Sequence, residues 1–297
     1  MKVFITSIFS ILILNFSNAQ SINQEISLKG EQPFLIGKID KKGLTTTNYN
    51  SWFSKQYDSY TSNKDVIKKF SKALKEYEIL VFMGTWCGDS KREVPRFIKI
   101  LEDSNYPMKK LTTIGVSRKA NMYKQSSGHE ERGLNIHRVP IFIFYKNGVE
   151  VNRIVESPVV SLEQDILDIT QSKYQSKYHL VTIVNEIINE VDFSDQASKL
   201  IPKYKMLTNN MYELNTYSKI LATTERIDKS IEVLELNTKL FPENPAVYVS
   251  LGNACLQANR KNQALVNYEK ALKLNPTNAN LKNRITSLKS GLASSNN

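Results

Sequence analysis

Ile79-Leu80-Val81-Phe82-Met83-Gly84-Thr85-Trp86-Cys87-Gly88-Asp89-Ser90, followed by Lys91-Arg92-Glu93-Val94-Pro95-Arg96-Phe97, is the stretch on which the fold turns. The apolar run 79–83 predicts a buried strand, and a helix is predicted from about Ser90 to Leu101. A cysteine is thereby delivered by a strand to a helix N-terminus, where unpaired amides and the helix dipole favour the thiolate. The spacing is that of a C-x-x-C pair, but Ser90 stands where the second cysteine would be. Asp89 suits a helix N-terminus, yet its charge opposes a thiolate, and Lys91 and Arg92 offset it. The net electrostatic sign at Cys87 is left open at this level.

Lys110 to Val116 reads as a second buried strand, and the polar stretch Ser117 to Gly133 as part helix and part loop. Val139-Pro140-Ile141-Phe142-Ile143-Phe144-Tyr145 predicts a strand with proline at its entry. Lys146-Asn147-Gly148 is a two-strand turn, with Val149 to Val155 as the returning strand. Ser161-Leu162-Glu163-Gln164 has the pattern of a capping box opening a helix through Thr170. Upstream, Glu31 to Leu74 is mixed, with Trp52, Phe53, Tyr57 and Tyr60 ahead of a helical pattern over 65–74. Strand, helix, strand, hairpin and helix in this order predict an α/β unit with a mixed sheet flanked by helices.

With Trp86-Cys87 at a strand end, Pro95 eight residues later, Val139-Pro140, and the turn at 146–148, residues 32–171 resemble a thioredoxin-fold domain. The stretch as a whole, with Trp52-Phe53 upstream, looks like an exported bacterial thioredoxin-like family. The resemblance implies a cis-proline at Pro140 facing Cys87. It implies a groove for extended client backbone at Trp86, Gly88, Asp89, Val139 and Pro140, with Trp86 shielding the sulfur. It also marks departures. The buried acid expected six positions before the cysteine is Val81, the resolving cysteine is Ser90, and the usual Gly-Pro pair is Gly88-Asp89. Cys87 and Ser90 are the candidate catalytic residues, Ser90 as a hydrogen-bond donor to the sulfur. Without a resolving thiol, a dithiol reductase is excluded. The expected chemistry is monothiol exchange on protein or glutathionyl disulfides, with an external thiol as electron donor and no cofactor. The alternative is a non-catalytic periplasmic adaptor or chaperone.

The C-terminal part changes period. Residues 175–192 and 195–207 are helical by spacing, with Ile183, Ile187, Ile188 and Val191 on one side. Over 245–278, Tyr248, Leu251, Gly252, Ala264, Tyr268, Ala271 and Pro276 stand at the positions of a tetratricopeptide repeat. Residues 211–244 are a weaker copy, and 279–292 a capping helix. The expected division is a signal peptide at 1–19, a thioredoxin-like domain with N-terminal extension at 20–172, connecting helices at 173–210, and an all-α tetratricopeptide domain at 211–292. The repeats read either as a docking surface for protein or peptide clients or as a structural appendage.

Lys2, the apolar run Val3 to Leu14, and Ser17-Asn18-Ala19 form a secretory leader cleaved at Ala19-Gln20, placing the mature chain in the periplasm or outside the cell. No later run is long enough to span a bilayer. The net charge of +11 is spread along the 297 residues with no basic block, which excludes a nucleic-acid arm and leaves a solvated basic surface. The two cysteines, Cys87 and Cys255, are far apart. Cys255 lies in an apolar helix as a buried small hydrophobe, and Cys87 is read as a free thiol in preference to a Cys87–Cys255 bridge. His129, His137 and His179 are isolated, so no metal site is expected, and His137 is read as a surface histidine.

Overall fold

The computed structural model describes residues 21–190, 193–208 and 210–294. The expected leader, with its expected Ala19-Gln20 cleavage point, and Val191 lie outside these residues. The N-terminal unit runs β1 (Gln24–Ile26), β2 (Phe34–Ile39), α1 (Lys41–Leu44), α2 (Thr47–Ser59), α3 (Lys64–Leu74), β3 (Glu78–Met83), α4 (Gly88–Asp103), β4 (Leu111–Gly115), β5 (Ile141–Lys146), β6 (Val149–Val155) and α5 (Leu162–Thr170). These strands form one sheet in the order β1-β2-β4-β3-β5-β6. Only the β3–β4 pair is parallel; the others are antiparallel.

The strand alternation sorts the apolar residues between two cores. Ile79, Val81 and Met83 of β3 join Phe142 and Phe144 of β5 against helices α2 to α5, with the Phe97 and Phe142 rings 4.4 Å apart. Phe82, Ile141 and Ile143 point the other way and pack with Ile114, Val116, Ile136 and Val139, where Trp86 and Cys87 also rest. Val81, at the position of the expected acid, is therefore on the face opposite to the one Cys87 packs against. The hairpin turn has Asn147 at φ 53° and Gly148 at φ 76°, the left-handed pair that matches the twist of two adjacent strands.

Several elements differ from expectation. The stretch 117–133 contains one 3₁₀ turn, Ala120–Met122, and no α-helix. Ser161 caps α5 through the Gln164 amide at 3.1 Å, but the Gln164 side chain turns away to Asp168 at 2.8 Å. The loop amides of Val159 and Val160 donate instead to the Asp165 carboxylate. The capping box is half formed because the Gln164 side chain is held by Asp168 one turn further on and does not reach back to the Ser161 amide.

The C-terminal part is all helix: α6 (His179–Ile187), α7 (Phe193–Lys199), α8 (Ile201–Leu207), α9 (Tyr212–Thr223), α10 (Ile227–Leu240), α11 (Pro245–Gln257), α12 (Lys261–Leu274) and α13 (Ala279–Ser294). The predicted helix over 195–207 breaks at Leu200, where Pro202 opens α8. In α6 the buried face is Leu180, Val181 and Val184, continuing to Ile188, with Ile183 and Ile187 at its margin. Gly252 lies under the Tyr268 ring; a Cβ there would stand 2.5 Å from Tyr268 Cε1. Asn237, fully buried, donates to Met211 O and Asn215 Oδ1 at 2.9 Å each and ties α10 to α9.

Candidate functional site

Cys87 is the N-cap of α4, with extended backbone (φ −89°, ψ 130°). Its amide donates to Gly84 O at 2.8 Å, and its carbonyl accepts from Lys91 N at 3.0 Å. The turn that delivers it is fixed on both sides. Thr85 Oγ1 accepts from the Leu35 amide at 3.0 Å, and the Trp86 indole donates to Val116 O at 2.9 Å. Cys87 is half-buried, and its Sγ donates to Val139 O at 3.2 Å. The Val139–Pro140 peptide is cis, and Pro140 O accepts from the Glu156 amide at 2.7 Å. Cys87, Trp86, Val139 and Pro140 thus converge, while Gly88 is exposed at the mouth.

Ser90 is fully buried, and its Oγ accepts from the Gly84 amide at 3.2 Å. Among the described residues no hydrogen bond joins it to Cys87, so the expected donation to the sulfur is not observed. The hydroxyl points under the strand end instead. Asp89 is paired with Arg92 Nη2 at 2.7 Å, and the same guanidinium holds the buried Glu93 at 2.6 Å. Asp89 is thus ion-paired, through a guanidinium that it shares with Glu93. Cys255 is buried and burial pushes its thiol up, as for an inert core cysteine. Both cysteines are free.

Three residues with no signature in the sequence line the same site. Tyr123 packs on Trp86 with ring centroids 6.1 Å apart. Burial raises its phenol, and the charge of Cys87 adds to the effect. Lys124 follows it into the interior. Arg138 pairs with Glu156 at 2.6 Å and lies over the Tyr178 ring at 4.2 Å. His137 is a correction, because it is not at the surface but 3% exposed, edge-on to Tyr178 at 6.0 Å. Burial pushes its imidazole down to about 3, so the ring is neutral, bonded at Nδ1 to Asn135 O (3.1 Å) and unpartnered at Nε2. The chain leading to Pro140 passes beneath Tyr178, which buries it.

The helical part closes one side. Lys219 of α9 stands 4.1 Å from the Tyr123 ring centroid, Gln125 Nε2 donates to Thr223 O at 3.1 Å, and Arg138 reaches Thr216 Oγ1 at 3.5 Å. Among the described residues no group of three His, Cys, Asp or Glu is placed to hold a metal, and no helix is long and apolar enough to cross a membrane.

A Thioredoxin family profile matches residues 39–163, and a Tetratricopeptide repeat profile matches residues 245–278. The thioredoxin-like protein R548 of Acanthamoeba polyphaga mimivirus is 31% identical over 109 residues, which cover 35% of this chain and 74% of that protein. The chain belongs to the thioredoxin-like family. As a thioredoxin-like protein it has the mixed sheet flanked by helices and, beyond it, a helical region whose repeat at 245–278 suggests protein–protein interaction.

Proposed function

We propose that this is an exported thioredoxin-like protein, periplasmic or released, that exchanges disulfides through Cys87 alone. The observation that supports it most directly is the pairing of Cys87 Sγ with Val139 O at 3.2 Å beside Pro140, with Ser90 buried where a second thiol would stand. The Cys87 thiolate attacks one sulfur of a protein or glutathionyl disulfide. A new Sγ–S bond forms, the substrate S–S bond breaks, and the departing thiolate takes a proton. An external thiol then attacks the mixed disulfide, frees Cys87 and leaves with the substrate sulfur. One disulfide is thereby traded for another, with no redox cofactor. Trp86, Gly88, Asp89, Val139 and Pro140 bind the client chain, and the repeats hold the client body.

The test is insulin reduction and deglutathionylation of a glutathionyl peptide, with Cys87→Ser as control. Cys87-dependent turnover is expected in the second assay. Absence of any Cys87-dependent rate in both sinks the reading. A second reading, an adaptor or chaperone without chemistry, is favoured by one observation: Ser90 is used as a structural acceptor for Gly84. Suppression of client aggregation that survives Cys87→Ser would support it.

A further inference from the structure

Against Tyr123, the ring that packs on Trp86, stands a buried lysine with no carboxylate to balance it among the described residues. Lys124 is 6% exposed and held at a left-handed backbone position, φ 59°. Its strand-like turn is closed by Lys124 N to Ser117 O and Ser117 N to Gln125 O, each 2.8 Å. The ammonium donates to the His137 carbonyl and lies 4.9 Å from the centroid of Tyr123, the ring that packs on Trp86. Among the described residues no Asp or Glu lies within ion-pair distance of it. A buried ammonium in that position is costly unless an anion answers it.

The charged groups around Lys124 come from four elements. Arg138, on the segment before β5, is already matched by Glu156. His137 is neutral, and Lys219 arrives from α9 with its own positive charge. Burial pushes the Lys124 ammonium down to about 8, and Arg138 and Lys219 push it the same way. Cys87 is the leading influence in the opposite direction, ahead of Glu156. The geometry ties the two groups to one segment: Lys124 Nζ donates to His137 O and Cys87 Sγ to Val139 O, two residues further on.

We propose that Lys124 is a positioning residue for Cys87: its ammonium is the counter-charge of the thiolate, and its bond to His137 O holds the segment that carries Val139 and Pro140. The inference rests on Cys87 being a working thiol, but its test needs no exchange turnover. The measurement is the rate of iodoacetamide alkylation of Cys87 against pH in the mature full-length protein, read on the Cys87 peptide by mass spectrometry. Lys124→Gln keeps a donor for His137 O and removes the charge; Lys124→Met removes both.

Both variants are expected to move the alkylation midpoint up by about one pH unit, slowing alkylation at neutral pH up to about tenfold. Coupling is reciprocal, so Cys87→Ser should lower the midpoint at which Lys124 itself titrates, followed by NMR of 13C-labelled lysine. A wild-type profile in Lys124→Gln with a slowed Lys124→Met would reduce Lys124 to a structural peg and overturn the charge role. An unchanged Lys124 titration in Cys87→Ser overturns it too, and decides the matter alone if the Lys124 variants do not fold. Charge coupling with no exchange activity would instead sink the proposed function and leave this inference standing.

Discussion

Gly84→Ala gives a sharp test of how Trp86 is held over the thiol site. A Cβ at Gly84 would stand 2.6 Å from Trp86 Cε2 and 2.9 Å from Cζ2 and Nε1. The backbone itself tolerates alanine, since no left-handed φ is involved, so the whole cost falls on the indole. The ring must yield, and yielding loses the 2.9 Å bond to Val116 O, worth about 0.5–1.5 kcal/mol. Repacking against Tyr123 adds about 1–3 kcal/mol, and the reduced freedom of the unfolded chain returns about 0.4–1 kcal/mol. The expected net loss is roughly 2 kcal/mol. Both tryptophans, Trp52 and Trp86, lie in the N-terminal unit, so urea unfolding followed by tryptophan fluorescence reports that unit. In a Trp86→Ala background the same change should cost almost nothing, giving a coupling energy of about 2 kcal/mol. Faster alkylation of Cys87 should accompany Gly84→Ala, because the shielding ring is displaced. Additive costs in the cycle, or unaltered emission and stability in Gly84→Ala, would refute the packing argument.

Ser90→Cys should restore a dithiol: after treatment with oxidised glutathione, one free thiol, that of Cys255, should remain of three with no glutathionyl adduct by mass, and insulin reduction should appear where wild type has little. Three persistent free thiols, Cys255 among them, would mean that position 90 does not face Cys87. His137 is held near pH 3 when folded and has an ordinary midpoint near 6.5 when unfolded. The unfolded chain therefore takes up the proton first, and stability is full above about pH 6.5 and falls as pH drops toward 3. Between pH 6.5 and 5 the loss is about 2 kcal/mol, and urea midpoints across that window should flatten in His137→Phe; an identical slope would remove His137 as the cause. Gly252→Ala brings a Cβ to 2.5 Å from the fully buried Tyr268 ring. Overpacking outweighs the gain in helix propensity for a net loss of roughly 1 kcal/mol, measured as a lower melting temperature of the helical part; a raised one would count against the close approach.

The legible parts of the sequence are local or repetitive. Trp86-Cys87 after an apolar run, Val139-Pro140 before another, and the small and aromatic residues of 245–278 each bear their geometry in a short window. Helix α2 escapes that kind of reading although Tyr49 and Phe53, at i and i+4, are its two buried residues; their polar neighbours mask the period. The site's cationic wall is illegible for a different reason. Tyr123 and Lys124 lie in a stretch with no hydrophobic period, and Arg138 and His137 precede a strand. Their roles arise from contacts with Trp86, Tyr178 and Lys219 far along the chain. The spacing does place Ser90 beside the strand end, but which partner its hydroxyl takes depends on a backbone amide that no pattern of side chains announces.

The Lys219–Tyr123 stack and the Gln125–Thr223 bond have a kinetic consequence. They hold α9 against Tyr123 and Gln125, at a set place beside the site. A client gripped by the helices would therefore present its disulfide at an effective concentration set by its own slack, in the millimolar range for a short flexible segment. The encounter would become nearly intramolecular, and under the proposed function substrates would be selected by tether length as much as by chemistry.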